Sequence, residues 1–150
     1  LCQKRDPEAL RADVLKMRAD ILSAKPPQGP LDVKLLRGGL VDSEFLIHYL
    51  QLREGIGLDP AIEKACAALA NAGLLPAEHA RNHLTLTRFL AAGRLFTPDG
   101  GEPSEAAKPV LAQACGHHLY SDLLQSLTRA RQEIAEQWRI HFNQRLEIEP

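Results

Sequence analysis

Apolar side chains recur every three or four residues through the last part of the chain, from about Leu119 to Leu146. This spacing lines one face of an α-helix, which turns once every 3.6 residues, and it does not fit the alternation of a strand. The stripe comprises Leu123, Leu127, Ala130, Ile134, Trp138 and Phe142. Because no segment shows convincing strand alternation, the sequence predicts an all-α fold.

Proline and glycine divide the rest of the chain into helices. Asp6-Pro7 predicts a first helix with Asp as N-cap and Pro at the first helical position. Its predicted inner stripe is Leu10, Val14, Met17 and Ile21. The segment Pro26–Pro30 cannot continue that helix. A second helix is predicted from near Asp42-Ser43 to about Gly55, with an inner face of Val41, Phe45, Tyr49 and Leu52.

The same signals predict three further helices before the last one. The third starts at Asp59-Pro60 and ends at a left-handed Gly73, and its apolar face is Ile62, Cys66 and Leu69. The fourth runs from about Ala77 to Leu95, with an inner face of Ala80, Leu84, Thr87, Leu90 and Ala91. The segment from Thr97 to Pro103 is the clearest loop, and Asp99-Gly100-Gly101 is expected to be mobile. A short helix capped by Ser104 and interrupted by Gly116 follows.

These elements predict one irregular helical bundle of about six helices over residues 1–150, with a long C-terminal helix. A chain of 150 residues, 45% hydrophobic and 25% charged, can bury a core without a metal or disulfides. The net charge of −1 gives no reason to expect nucleic acid, and no apolar run approaches the ~20 residues of a membrane span. Neither a nucleic acid nor a membrane is therefore expected as a partner.

Three scattered cysteines, Cys2, Cys66 and Cys115, fit a reducing cytoplasm and ordinary buried thiols. The chain begins at Leu1 rather than Met, so we expect it to be a C-terminal fragment of a larger protein.

A turn at Arg37-Gly38-Gly39 leads into the second helix. Asp42 or Ser43 is the expected N-cap, and Glu44 is expected in the first turn, where the helix dipole favours a negative charge. Such a turn at a helix N-terminus, with Lys34 and Arg37 beside it, can hold an anion. The alternative is a tight turn flanked by solvated cations. In that case Glu44 only interacts favourably with the helix dipole.

The stretch Asp32-Val33-Lys34, then Arg37-Gly38-Gly39-Leu40-Val41-Asp42, then Glu44-Phe45, resembles a signature of glutamine-synthetase adenylyltransferase. The signature reads D-[IV]-K-x-G-x-G-G-[IL]-x-D-[IV]-E-F, and it lies in the helical domain that follows each nucleotidyltransferase domain of that enzyme. The Val-Asp-x-Glu-Phe wording, followed by Tyr49–Arg53, is closer to the domain after the C-terminal, adenylylating half. Met17-Arg18 upstream matches the Met-Arg that closes the helix entering this domain. Leu36 replaces the first glycine of the signature, and Ser43 replaces an aliphatic residue.

The resemblance implies a parent enzyme that transfers AMP from ATP to a tyrosine of glutamine synthetase and removes it again. It also implies a requirement for Mg²⁺ and control by a PII-type signal protein. Lys34, Arg37, Gly38, Gly39, Asp42 and Glu44 would then contact the nucleotide or the upstream nucleotidyltransferase domain.

The carboxylates that such an enzyme needs for Mg²⁺ are missing from the sequence. The family supplies them from a Gly-Ser followed by an Asp-x-Asp, and this chain contains neither. Asp42 and Glu44 come nearest, but side chains at i and i+2 on a helix point roughly 200° apart. We therefore expect no catalytic residue, no metal ligand and no tightly bound cofactor in this chain.

Two groups of histidines are candidate metal sites. His79 and His83 have the i, i+4 spacing of a zinc pair, yet no third ligand is evident, so an exposed helix face is the preferred interpretation. Cys115, His117 and His118 flank Gly116 and are interpreted as a helix junction.

The sequence thus predicts a non-catalytic helical domain that packs on the nucleotidyltransferase domain of a glutamine-synthetase adenylyltransferase. A free-standing helical interaction module without a catalytic partner is the alternative. A metal-dependent hydrolase built on His79, His83 and Glu44 is the weakest of the three interpretations.

Overall fold

The computed structural model describes residues 6–148, and six α-helices form its regular structure. They are α1 (Pro7–Ala24), α2 (Leu40–Glu54), α3 (Ile62–Asn71), α4 (His79–Phe96), α5 (Ala107–Ala114) and α6 (Tyr120–Phe142). No strand occurs between residues 6 and 148. The predicted all-α bundle with a long last helix is therefore confirmed, whereas the assignment of all 150 residues to one domain stays a prediction.

Helix α6 runs past two apolar clusters and holds them together. Its C-terminal half, with Trp138 and Phe142, packs into a cluster built from α1, α2 and α3. Its N-terminal half, with Leu123 and Leu127, packs into a second cluster that includes Leu31, α4 and α5. All six residues of the predicted stripe are buried, so this prediction is confirmed.

Helix α2 lies in the middle of the bundle, against α1, α3, α4 and α6. The predicted inner face was therefore too narrow, because a central helix is covered on several sides. Leu46, Ile47 and Leu50 are fully buried, whereas Leu52, predicted as inner, is 47% exposed.

The predicted inner faces of α1 and α4 were partly wrong for a shared reason, namely that polar residues occupy interior positions. In α1, Met17 is exposed and Arg18 is buried. In α4, Leu84 and Thr87 are exposed. The interior face of α4 instead carries His79, Asn82, His83, Leu86, Phe89 and Gly93.

The predicted start of α1 is confirmed, whereas the predicted start of the third helix is shifted. Asp6 caps α1 by accepting a hydrogen bond from the Glu8 N–H at 3.3 Å. The third helix begins at Ile62, after a turn in which Asp59 accepts from the Ala61 N–H, because the first residues after Asp59 are not yet helical. Gly73 is left-handed just after α3, as predicted.

The segment from Thr97 to Pro103 forms the predicted loop, and it is tied to the chain just before the signature. The Leu31 N–H donates to the Gly100 carbonyl at 2.9 Å. This contact seats residues 28–32 against the C-terminal end of α4. Gly116 takes a left-handed conformation between α5 and α6, which confirms the predicted helix junction.

None of the six helices in the described region combines the length and apolar character that crossing a membrane requires.

Gly38 and Gly116 are both left-handed, with φ of +74° and +81°, but only Gly38 is crowded. An added Cβ at Gly38 would overlap the carbonyl oxygen of Arg131, whereas the space at Gly116 is open. We expect Gly38→Ala and Gly116→Ala each to lose about 1–2 kcal/mol of stability for the left-handed backbone. Gly38→Ala should lose about 1–3 kcal/mol more through overlap. Urea unfolding of both variants measures the difference, and equal losses would contradict the close packing at Gly38.

Candidate functional site

The carboxylate of Asp42 lies at the centre of the signature region and is fully buried. Its Oδ1 accepts from Arg18 Nε at 2.5 Å, and its Oδ2 accepts from the Gly38 N–H at 2.7 Å. Arg37 Nε lies 3.6 Å from Oδ2. Asp42 is thus neutralised by two cations and by a backbone donor from the glycine turn.

The glycine turn is closed by the chain's own acceptors. The Gly39 N–H donates to Leu36 O, the Leu40 N–H to Val33 O and the Val41 N–H to Lys34 O, at 2.9, 2.9 and 3.1 Å. A phosphate bound at a helix N-terminus needs free N–H groups. Because Asp42 and backbone carbonyls take those donors, the turn has no free donor among these residues for an external anion.

The predicted capping of α2 by Asp42 or Ser43 is wrong. Gly39 occupies the N-cap position and makes no side-chain capping bond, so the helix begins at Leu40. Asp42 stands in the first turn and reaches back to Gly38, in the manner of an acidic residue in a capping box. Glu44 consequently lies beyond the first turn, contrary to the prediction, and is exposed.

Helix α6 holds Arg37 from two directions. Arg131 Nε and Nη2 donate to the Arg37 carbonyl oxygen at 3.1 and 3.0 Å. The Arg37 guanidinium lies 5.4 Å from the centre of the Trp138 ring, which is within cation–π range. The predicted residues Arg37, Gly38, Gly39 and Asp42 are therefore brought together as one cluster, in which Arg37 is half-buried and the other three are buried.

Lys34 and Glu44 lie outside this cluster. Both are exposed, and neither makes an ion pair within residues 6–148. They are the predicted site residues that remain accessible to another molecule.

Arg18 is the member of the site that sequence reasoning missed as a functional residue. It is 1% exposed, and its Nη2 also donates to the Leu35 carbonyl at 2.9 Å. A signal was present, because Arg18 continues the four-residue spacing of Leu10 and Val14. A lone cation in an apolar stripe indicates a buried anionic partner.

Ser43, which replaces an aliphatic residue of the signature, is buried between two histidines of α4. Its Oγ lies 3.0 Å from His79 Nε2 and 2.9 Å from His83 Nδ1. The interpretation of His79 and His83 as an exposed helix face is therefore wrong, because the Ser43 hydroxyl gives both rings a buried partner.

The hydrogen-bond directions follow from the other ring nitrogen of His79. His79 Nδ1 is buried without a partner, and a proton there would be a buried unpaired donor. His79 therefore carries its proton on Nε2 and donates to Ser43, which donates to His83 Nδ1. Burial, with smaller effects of His83 and His141, lowers the pKa of His79 to about 4, and burial also lowers the pKa of His83.

The described region holds no assembled metal centre. Residues 6–148 hold no group of three or more His, Cys, Asp or Glu side chains arranged for a metal ion. Asp42 is saturated by cations and Glu44 points to solvent, so this pair does not fit Mg²⁺. Burial raises the pKa of Cys66 to about 11, which keeps that thiol protonated, and burial also raises the pKa of Cys115. Cys2 lies outside the described residues.

The fold and the site thus define a helical scaffold whose signature residues mostly serve its own packing. In sequence, most of the chain matches one part of much longer bacterial enzymes. The bifunctional glutamine synthetase adenylyltransferase/adenylyl-removing enzyme of Rhizobium meliloti (strain 1021) is 36% identical over 132 residues, covering 82% of this chain. The enzyme of the same name from Nitrosomonas europaea is 33% identical over 148 residues, covering 92% of this chain.

A shorter segment matches more closely. The enzyme of the same name from Agrobacterium fabrum is 50% identical over 52 residues, which is 35% of this chain. These matches confirm the resemblance, and the chain is a relative of one domain of glutamine synthetase adenylyltransferase. The chain spans 13% of the Rhizobium enzyme and 15% of the Nitrosomonas enzyme. No protein-family model matches the chain, and no solved structure matches it significantly.

We expect Asp42→Asn to destabilise the fold by about 3–5 kcal/mol, because it leaves the Arg18 charge buried without its anion. Asp20→Asn is the matched control, since Asp20 pairs with Lys16 on the surface and should lose less than about 1 kcal/mol. Chemical unfolding measures both. Similar losses in the two variants would show that the Asp42 cluster does not hold the fold.

The buried histidines predict a fold that weakens in mild acid. The pKa of His79 is lower in the folded chain than in the unfolded chain, so the unfolded state binds more protons between pH 6.5 and 4. The free energy of unfolding should fall by about 3 kcal/mol over that window as pH decreases. His79→Leu should flatten this dependence, whereas His118→Leu, at an exposed position, should not. Parallel pH profiles for wild type and His79→Leu would contradict the assignment.

Proposed function

We propose that this chain is a non-catalytic helical domain of a bifunctional glutamine synthetase adenylyltransferase and follows its adenylylating nucleotidyltransferase domain. The observation that carries the proposal is the match of 82–92% of the chain to one part of such enzymes. The described residues also lack a metal-binding carboxylate group, which fits a domain that depends on a catalytic neighbour.

In this proposal the reaction takes place on the neighbouring domain. That domain would use ATP and Mg²⁺ to transfer AMP to a tyrosine of glutamine synthetase, and a PII-type protein would control it. The helical domain would need neither cofactor itself. The proposal implies a cytoplasmic location, where ATP and glutamine synthetase are present.

Lys34 and Glu44 are the residues that we assign to contact with the transferase cleft. Both are exposed, and each neighbours the buried Asp42 cluster in sequence. The Arg37–Asp42–Arg18 ion pairs fix the backbone that carries them. The role of Arg37, Gly38, Gly39 and Asp42 would therefore be to hold this surface in position.

An apolar groove between α1 and α2 supports packing against the neighbouring domain. The groove has a volume of about 430 Å³, and its walls include Val14, Met17, Phe45 and Leu52. Met17 and Leu52 are each 47% exposed. Since the matched enzymes are far longer than this chain, we assign the groove to an apolar surface of the adjoining domain in the same polypeptide.

The direct test is the rate of glutamine synthetase adenylylation by the complete enzyme. Lys34→Ala or Glu44→Ala should lower that rate while leaving the thermal midpoint of the enzyme within a degree or two of wild type, because both side chains are exposed. Lys64→Ala and Glu63→Ala on the exposed face of α3 are matched controls and should keep the full rate. Wild-type rates for both Lys34→Ala and Glu44→Ala would exclude a role at the cleft.

A free-standing interaction module is the alternative function. Leu36, which departs from the signature, and the lack of a Gly-Ser or Asp-x-Asp in the chain favour it, because the module would have lost constraints imposed by a catalytic neighbour. The coding sequence upstream of Leu1 separates the two: a Gly-Ser and Asp-x-Asp segment in frame supports the enzyme domain, and a nearby start codon supports the module.

A further inference from the structure

A pocket lies between the chain leading into the signature and the C-terminal half of α4. It has a volume of about 230 Å³. One side is formed by Leu31, Lys34 and Leu35, and the other by Phe89, Gly93 and Arg94. The Leu31–Gly100 hydrogen bond joins two residues that line the pocket, one before the signature and one in the loop after α4.

Two cations line this pocket without a carboxylate partner. Lys34 comes from the signature segment and Arg94 from α4, and neither makes an ion pair within residues 6–148. Asp32 also lines the pocket and keeps its negative charge, although its carboxylate is hydrogen-bonded to the backbone. Its oxygens accept from the Gln28 and Leu35 N–H groups at 3.1 and 3.2 Å.

The floor of the pocket is apolar and lacks a side chain at one position. Phe89 is 1% exposed, so its ring is packed into the core. Gly93 lies within α4, where glycine costs about 1 kcal/mol relative to alanine. An added Cβ there would make only ordinary contacts, at 3.4 Å from Thr97 Oγ1 and 3.6 Å from the Phe89 ring. The helix therefore does not require glycine at this position for its own packing, and the glycine leaves the floor open.

We propose that this pocket binds a small phosphomonoester with a flat apolar body. A phosphomonoester carries a charge of about −1.5 to −2 at pH 7 and three acceptor oxygens, so one group can meet both cations, which outnumber the Asp32 carboxylate. Arg94 can bind two phosphate oxygens at once, and Lys34 adds a point charge from the opposite side. The pocket is smaller than the roughly 300–1,000 Å³ of sites for drug-sized ligands, so it fits a small molecule or the end of a larger one.

This inference extends the proposed function, because Lys34 takes part in that function and also lines the pocket. It adds the chemical group, a phosphate, that Lys34 would bind. Arg94 belongs to the pocket alone. Binding to the 150-residue chain and adenylylation by the complete enzyme are separate measurements, so either idea can fail without the other.

The test is an NMR titration of the ¹⁵N-labelled chain with phenyl phosphate, phenol and inorganic phosphate. Phenyl phosphate should give saturable shifts at the amides of Leu35, Gly93 and Arg94. Its affinity should fall about tenfold in Lys34→Ala and in Arg94→Ala, because each removes a charge-assisted hydrogen bond. Both residues are exposed, so both variants should retain the wild-type spectrum elsewhere.

Lys64→Ala and Arg129→Ala, which remove exposed cations on α3 and α6, are the matched controls and should bind as wild type. Phenol and inorganic phosphate should each bind more weakly than phenyl phosphate, because each lacks one half of the ligand. The proposal is overturned if phenyl phosphate gives no saturable shift, if phenol binds equally well, or if Lys34→Ala and Arg94→Ala both bind as wild type.

Discussion

The buried pair of Arg18 and Asp42 is the interaction on which the rest of the structure depends. It joins α1 to the first turn of α2, and Asp42 uses its second oxygen to fix the Gly38 N–H. Burying two charges is costly unless they are paired and hydrogen-bonded, so each partner requires the other. Arg131 and Trp138 of α6 then hold Arg37 against the same cluster. The central helix of the bundle is thereby tied to α1 and to the long helix that spans the two cores.

Within the signature, some residues hold the fold together and others are accessible to another molecule. Gly38, Gly39 and Asp42 take part in internal packing and hydrogen bonding. The turn resembles an anion-binding site in which the bound anion is the Asp42 carboxylate of the chain itself. Lys34 and Glu44 remain outside and accessible. A domain that holds no metal-binding cluster among its described residues can therefore still present a rigid surface to a catalytic neighbour. The match to one part of a much longer adenylyltransferase fits such a role.

The sequence patterns predicted the helix face that buries apolar side chains and missed the positions where polar side chains are buried. The predicted burial of the α6 stripe, from Leu123 to Phe142, was correct because apolar residues at helical spacing form one face that packs against the core. The face of α4 was not, since His79 and His83 are interior only because Ser43 gives their rings a partner. The same applies to Arg18, whose burial depends on a carboxylate 24 residues away. The type of a residue predicts whether it is usually buried or exposed. The pairing that buries a polar residue exists only in the folded chain.

Hydrogen exchange at the Gly38 amide tests most directly whether the glycine turn is closed by Asp42. A donor bonded to a fully buried carboxylate exchanges only when the surrounding structure opens. We predict that this amide exchanges as slowly as those of Leu46 and Leu50 in the core of α2. Exchange of the Gly38 amide at the rate of an open loop would contradict it, since the turn would then have a free donor and could receive an anion from another molecule.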